Sequence, residues 1–95
     1  MADLSTPKFE LGKCSITHTA DAYLKSCDVK PELLLRRHAC CDWCDLVPED
    51  IAANEAAIIT GSHIMSSYNI NGTLVWVYTN QEMKRTLVSM SGEDP

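Results

Sequence analysis

A chain of 95 residues with ordinary apolar content is long enough for one domain with a real, modest core, and the whole of it is not expected to be disordered. It has no apolar run of membrane-spanning length, and its first residues lack the charged-then-apolar order of a secretory signal, so the expected compartment is the cytoplasm. The net charge of −5 is unevenly spread: no Lys or Arg lies between His38 and Met83, which disfavours direct binding to nucleic acid and suits an acidic face that meets a basic protein surface.

In chain order, residues 1–7 read as a flexible leader. "FELGKCSIT" offers a strand near residues 13–17. Ala20, Tyr23, Leu24 and Cys27 then fall at helical spacing, with Thr19 as the expected N-cap and Cys27 as a core residue. Pro31 opens a second helix, "PELLLRRHAC", in which Leu33, Leu34 and Leu35 supply buried bulk and the basic end suits the helix dipole. Pro48 opens a third, "PEDIAANEAAIITG", with Ile51, Ile58 and Ile59 as its apolar stripe and Gly61 as its C-cap.

The last third alternates. Ile64, Tyr68 and Ile70 share one side of a strand, and Asn71-Gly72 is a strong hairpin signal. Leu74, Trp76 and Tyr78 share one face of the next strand, and Val75 and Val77 share the other. "TNQEMK" makes a second turn into "RTLVSM", and residues 91–95 read as a flexible tail. The expected class is α+β in a single domain, 1–95: two to three short N-terminal helices packed on a three- to four-stranded antiparallel sheet that ends as a β-meander. Since neither face of the central strand is plainly polar, one face needs a cover from the N-terminal segment or from a partner.

The densest chemistry is "RHACCDWC", residues 37–44. His38, Cys41 and Cys44 have zinc-ligand spacing, but only as half a site: no second paired knuckle exists among Cys14, Cys27, His18 and His63. Redox work fits poorly, because the C-x-x-C follows a helix instead of starting one, and Asp42 and Asp45 would raise the thiol pKa. Acid–base catalysis by His38 with a neighbouring carboxylate has no supporting motif, so the expectation is a non-enzyme without a cofactor. The structural reading is a tight helix–helix connection. In it Trp43 is buried, Asp42 and Asp45 accept backbone N–H groups, and His38 caps the end of the second helix.

The run RH…DW…DL…ED…ANE, from Leu33 to Met90 with its "LGKCSIT" approach, resembles a family of small bacterial proteins carried on plasmids and prophages. Their common pattern includes RHxxGDWGDLxxEDxxANE. Arg37, His38, Asp42, Trp43, Asp45, Glu49, Asp50, Asn54 and Glu55 match it. Cys41 and Cys44 stand where the pattern has Gly, so the cysteines are not shared chemistry, and the loop there wants small residues with unusual φ. "TNQEMKRTLV" also departs from the pattern. The resemblance implies a mobile-element origin. With size and charge it points to an acidic protein that binds a host- or element-encoded partner, its sharpest form an anti-CRISPR or anti-restriction inhibitor of a nucleic-acid-binding defence complex. The expected contact residues are Asp42, Trp43, Asp45, Glu49, Asp50 and Glu55. The alternative is a zinc module built on His38, Cys41 and Cys44.

Overall fold

A computed structural model of the chain describes residues 7–43 and 46–90. The element order is β1 (Lys13–Ile16), α1 (His18–Ser26), α2 (Pro31–Ala39), α3 (Pro48–Thr60), β2 (His63–Ile70), β3 (Thr73–Asn80) and β4 (Arg85–Met90). The fold is α+β, with three helices on one face of a four-stranded sheet ordered β1-β4-β3-β2. β2, β3 and β4 form the expected antiparallel meander. The sheet as a whole is mixed, because β1 adds to the outer edge of β4 in parallel. A parallel partner must arrive by a long connection, and here the three helices and the meander together are that connection.

Local chemistry explains the element ends. The cap of α1 is Thr17, two residues before the expected Thr19; its hydroxyl accepts from the Ala20 amide at 3.2 Å. Pro31 and Pro48 sit in the first turns of α2 and α3, where a missing N–H costs nothing. Gly61 ends α3 in the left-handed conformation. Asn71 and Gly72, at φ 52° and 90°, build a two-residue hairpin turn whose twist matches the strands. Gly12 is required by a close approach: a Cβ there would lie 2.1 Å from the Lys84 carbonyl oxygen, which accepts the Lys13 amide at 2.9 Å and starts the β1–β4 pairing.

The core lies between the helices and the Val75/Val77 face of the sheet. Ala20, Leu24, Leu34, Tyr68, Val75 and Val88 pack together, and a second cluster joins Trp43, Ala57 and Ile64. Several expected core positions differ. Only Leu34 of the leucine run is fully buried, with Leu33 exposed. Cys27 is half-buried at the end of α1, and Ile59 is 87% exposed. A short helix lying on a sheet buries one narrow stripe, so neighbours on either side of that stripe turn outward.

α3 also closes an edge. β2 is the outermost strand, and the Asn54 side chain clamps the backbone of Met65: Nδ2 donates to the carbonyl at 2.6 Å, and Oδ1 accepts the amide at 3.1 Å. One amide side chain thereby satisfies groups that would otherwise offer a strand-pairing edge. On its opposite face the sheet carries Met65, Leu74, Trp76, Tyr78 and Leu87, and the helices of the described residues pack on the other side.

Candidate functional site

The 37–43 stretch ends α2 in a Schellman turn. The Cys41 amide donates to the His38 carbonyl at 3.2 Å and the Asp42 amide to the Arg37 carbonyl at 2.8 Å, while Cys41 itself adopts φ 63°. This is the left-handed position that glycine favours, the unusual φ expected at this point of the loop. Arg37 donates from Nε to Asp42 Oδ2 at 2.8 Å, and its guanidinium carbon lies 4.6 Å from the centre of the Tyr68 ring. Asp42 is therefore half-buried and ion-paired, and the turn is held across to β2.

His38 does not cap the helix. Its side chain is fully buried against the sheet, edge-on to Phe9 and Trp43, with ring centroids at 5.3 and 5.6 Å. Nδ1 lies 2.5 Å from Ser66 Oγ and Nε2 lies 2.9 Å from Thr79 Oγ1. Thr79 Oγ1 is 2.8 Å from Thr86 Oγ1, and Thr86 donates to the Leu11 carbonyl at 2.7 Å. That last bond sets the direction of the whole chain. Thr86 has one hydroxyl proton and gives it to Leu11, so it must accept from Thr79. Thr79 has then used its own proton and must accept from His38 Nε2. The imidazole is consequently the neutral Nε2–H tautomer, and Nδ1 accepts from Ser66. Burial lowers the His38 pKa to about 3, consistent with a ring that has no room for a second proton.

The other expected site residues divide. Trp43, 6% exposed, is a core residue against Ala57 and Ile64. Glu49, Asp50 and Glu55 are exposed along α3. Asp45 and Cys44 lie outside the described residues. Among the described residues no three His, Cys, Asp or Glu side chains converge as metal ligands, and both His38 nitrogens are engaged by hydroxyls. The Cys41 thiol pKa is raised, first by burial, with Lys8 opposing and Cys40 and Glu55 adding; the direction expected from Asp42 and Asp45 holds, but the cause is different. Cys14, Cys27, Cys40 and Cys41 are free thiols.

Beside α3 runs a shallow groove of about 530 Å³, lined by Cys41, Trp43, Ile51, Ile58 and Ile59, with Lys8 and Glu55 at its rim. Compared with protein-family models, curated proteins and solved structures, the chain matches none.

The hydroxyl partners of His38 escape a search for chemical motifs because Ser and Thr in strands are commonplace. A signal did exist: Ser66 alternates with Ile64 and Tyr68, and Thr79 with Val75 and Val77. Each is a polar residue at an inward position that needs a buried partner.

Proposed function

We propose that this chain is a non-catalytic protein-binding module of mobile-element origin, whose acidic α3 surface meets a basic surface on a host or element protein. One observation carries the reading. α3 turns Glu49, Asp50 and Glu55 to solvent, with the exposed alanines 52, 53 and 56 and Ile59 between and beyond them, in a segment that has no Lys or Arg from residue 38 to 83. A helix that contributes so little of its surface to the core has surface left over for a partner, and uniform negative charge steers association with a cationic one. No helix among the described residues is long and apolar enough to cross a membrane.

The basic surface of a nucleic-acid channel in a defence complex is the partner class of best charge fit. The contact set is Glu49, Asp50 and Glu55, with Asp45 as a further candidate. Asp42 and Trp43 act by fixing the turn in front of α3, since one is ion-paired and the other buried. The test is capture of purified restriction and RNA-guided nucleases on immobilised chain at low salt. Capture is expected to weaken steeply with added salt and to be lost in a Glu49→Lys, Asp50→Lys, Glu55→Lys variant of unchanged fold. Absence of capture by the wild-type chain at low salt would sink the reading.

A further inference from the structure

The face of the sheet away from the helices is apolar at its centre and patterned in rows. In cross-strand register, one row holds Met65, Tyr78 and Leu87, all large, with Ser15 of β1 at its end. The next row, two residues along each strand, holds Ser67, Trp76 and Ser89, of which Ser67 and Trp76 are partly exposed and Ser89 is buried. The four strands contain no acidic residue, and the strand cations on this face, Lys13 and Arg85, are directly paired in register at one end of it.

We propose that this face is covered by a second copy of the chain in a symmetric dimer, with the two-fold axis lying between the sheets and running across the strands above Val77. Such an axis places each strand over its own counterpart, reversed. Met65 then falls on the partner's Ser67 and Trp76 beside its Tyr78, so the row of large residues meets the row in which Ser67 leaves room. Leu74, 38% exposed, falls near Asn80 and the hollow of about 430 Å³ lined by Tyr78, Asn80, Arg85 and Leu87. The cationic end of each sheet points away from that of its partner. An axis parallel to the strands would instead bring the two cationic ends to the same end of the dimer and stack large rows on large rows, and is disfavoured on both counts.

The size is sufficient. Four strands about 4.8 Å apart and about 20 Å long present roughly 400 Å² in projection. With side-chain relief on both copies, the dimer buries on the order of 1,000 Å², the lower bound of specific interfaces. Trp, Tyr and Met at its centre and charge only at its rim match the composition of such interfaces. Because α3 lies on the opposite layer, the dimer would display two acidic faces.

Sedimentation equilibrium on the full chain, from low micromolar to millimolar concentration, tests this. The mass is expected to rise from one chain to two and to stop there. Leu74→Lys, at an exposed position, is expected to weaken the dimer at least tenfold with an unchanged far-ultraviolet circular dichroism spectrum. Leu33→Lys, an exposed apolar position on α2, should leave it unchanged. Asn80→Asp supplies a second variant that places a carboxylate against the partner's Leu74 and should also weaken it. A chain that stays monomeric at millimolar concentration, assembles beyond two, or dimerises equally well with Leu74→Lys and Asn80→Asp overturns the proposal.

Discussion

His38 Nε2 lies 2.9 Å from Thr79 Oγ1, at the inner end of a hydroxyl chain that terminates on the Leu11 carbonyl. The carbonyl can only accept, so the geometry fixes a proton on Nε2 and leaves Nδ1 to accept from Ser66. A pH dependence follows. The folded ring titrates at about 3, against about 6.5 in an unfolded chain. Between these values the unfolded chain binds a proton that the folded chain refuses, so stability is complete above about pH 6.5 and falls as pH drops, by about 1.4 kcal/mol per unit at most. Urea melts at about pH 7.5 and about pH 4.5 should show wild type losing roughly 2–3 kcal/mol more than His38→Gln, which keeps an amide in place of the ring but cannot titrate. Equal losses in the two proteins would remove His38 as the source.

Thr79→Val is nearly isosteric, and it deletes both the acceptor for His38 Nε2–H and the donor to Thr86 at a fully buried position. Leaving a buried N–H without a partner costs about 1–3 kcal/mol. The variant should fold, melt earlier by that amount in urea, and shift the ring nitrogen resonances in ¹⁵N NMR away from the pure Nε2–H tautomer pattern seen in wild type. An unchanged ¹⁵N pattern would show that the relay does not set the tautomer.

Cys41 occupies a left-handed position that costs a side-chain-bearing residue about 1–2 kcal/mol relative to glycine. Part of that is returned through the greater entropy glycine loses on folding. Cys41→Gly should therefore raise stability by about 0.5–1 kcal/mol, and Cys41→Val should lower it, since a β-branched residue tolerates this conformation least. Thermal melts of the pair check the sign. A loss on Cys41→Gly would mean that the thiol's packing beside Trp43 outweighs the backbone strain.

Most of the architecture was legible because it rests on local signals. Pro31 and Pro48 mark helix starts, Gly61 a helix stop, and Asn71-Gly72 a hairpin, and each works within a few residues. The parallel docking of β1 on β4 joins residues about 70 apart in sequence, and nothing in "KCSI" declares its partner. His38 was legible as special but not in its role. Helix-end periodicity suggested a cap, whereas the ring is drawn inward by Ser66 and Thr79 from strands that follow much later. Asp42 was likewise expected to bond the turn's backbone, and Arg37 holds it instead. The acidic side of α3 was readable from composition, because solvent exposure is the default for Glu and Asp.

Asn54 offers the clearest separation of fold from association. Its amide accepts from and donates to Met65 at 3.1 and 2.6 Å on the outer edge of β2. Asn54→Ala removes both bonds and uncovers a backbone amide and carbonyl next to the apolar residues Ile64 and Ile58. A loss of about 1–3 kcal/mol is expected from the two orphaned groups, reduced to the extent that water reaches them. The second expectation is kinetic: an opened edge strand recruits other strands, so the variant should aggregate faster than wild type at matched fraction folded. Asn54→Asp keeps an acceptor for the Met65 amide and sets a carboxylate against its carbonyl. It should destabilise at least as much yet aggregate less, because an inward charge on an edge repels incoming strands. Light scattering at equal native population separates the effects. If Asn54→Ala loses stability without aggregating faster, the clamp serves α3 docking alone and not protection of the edge.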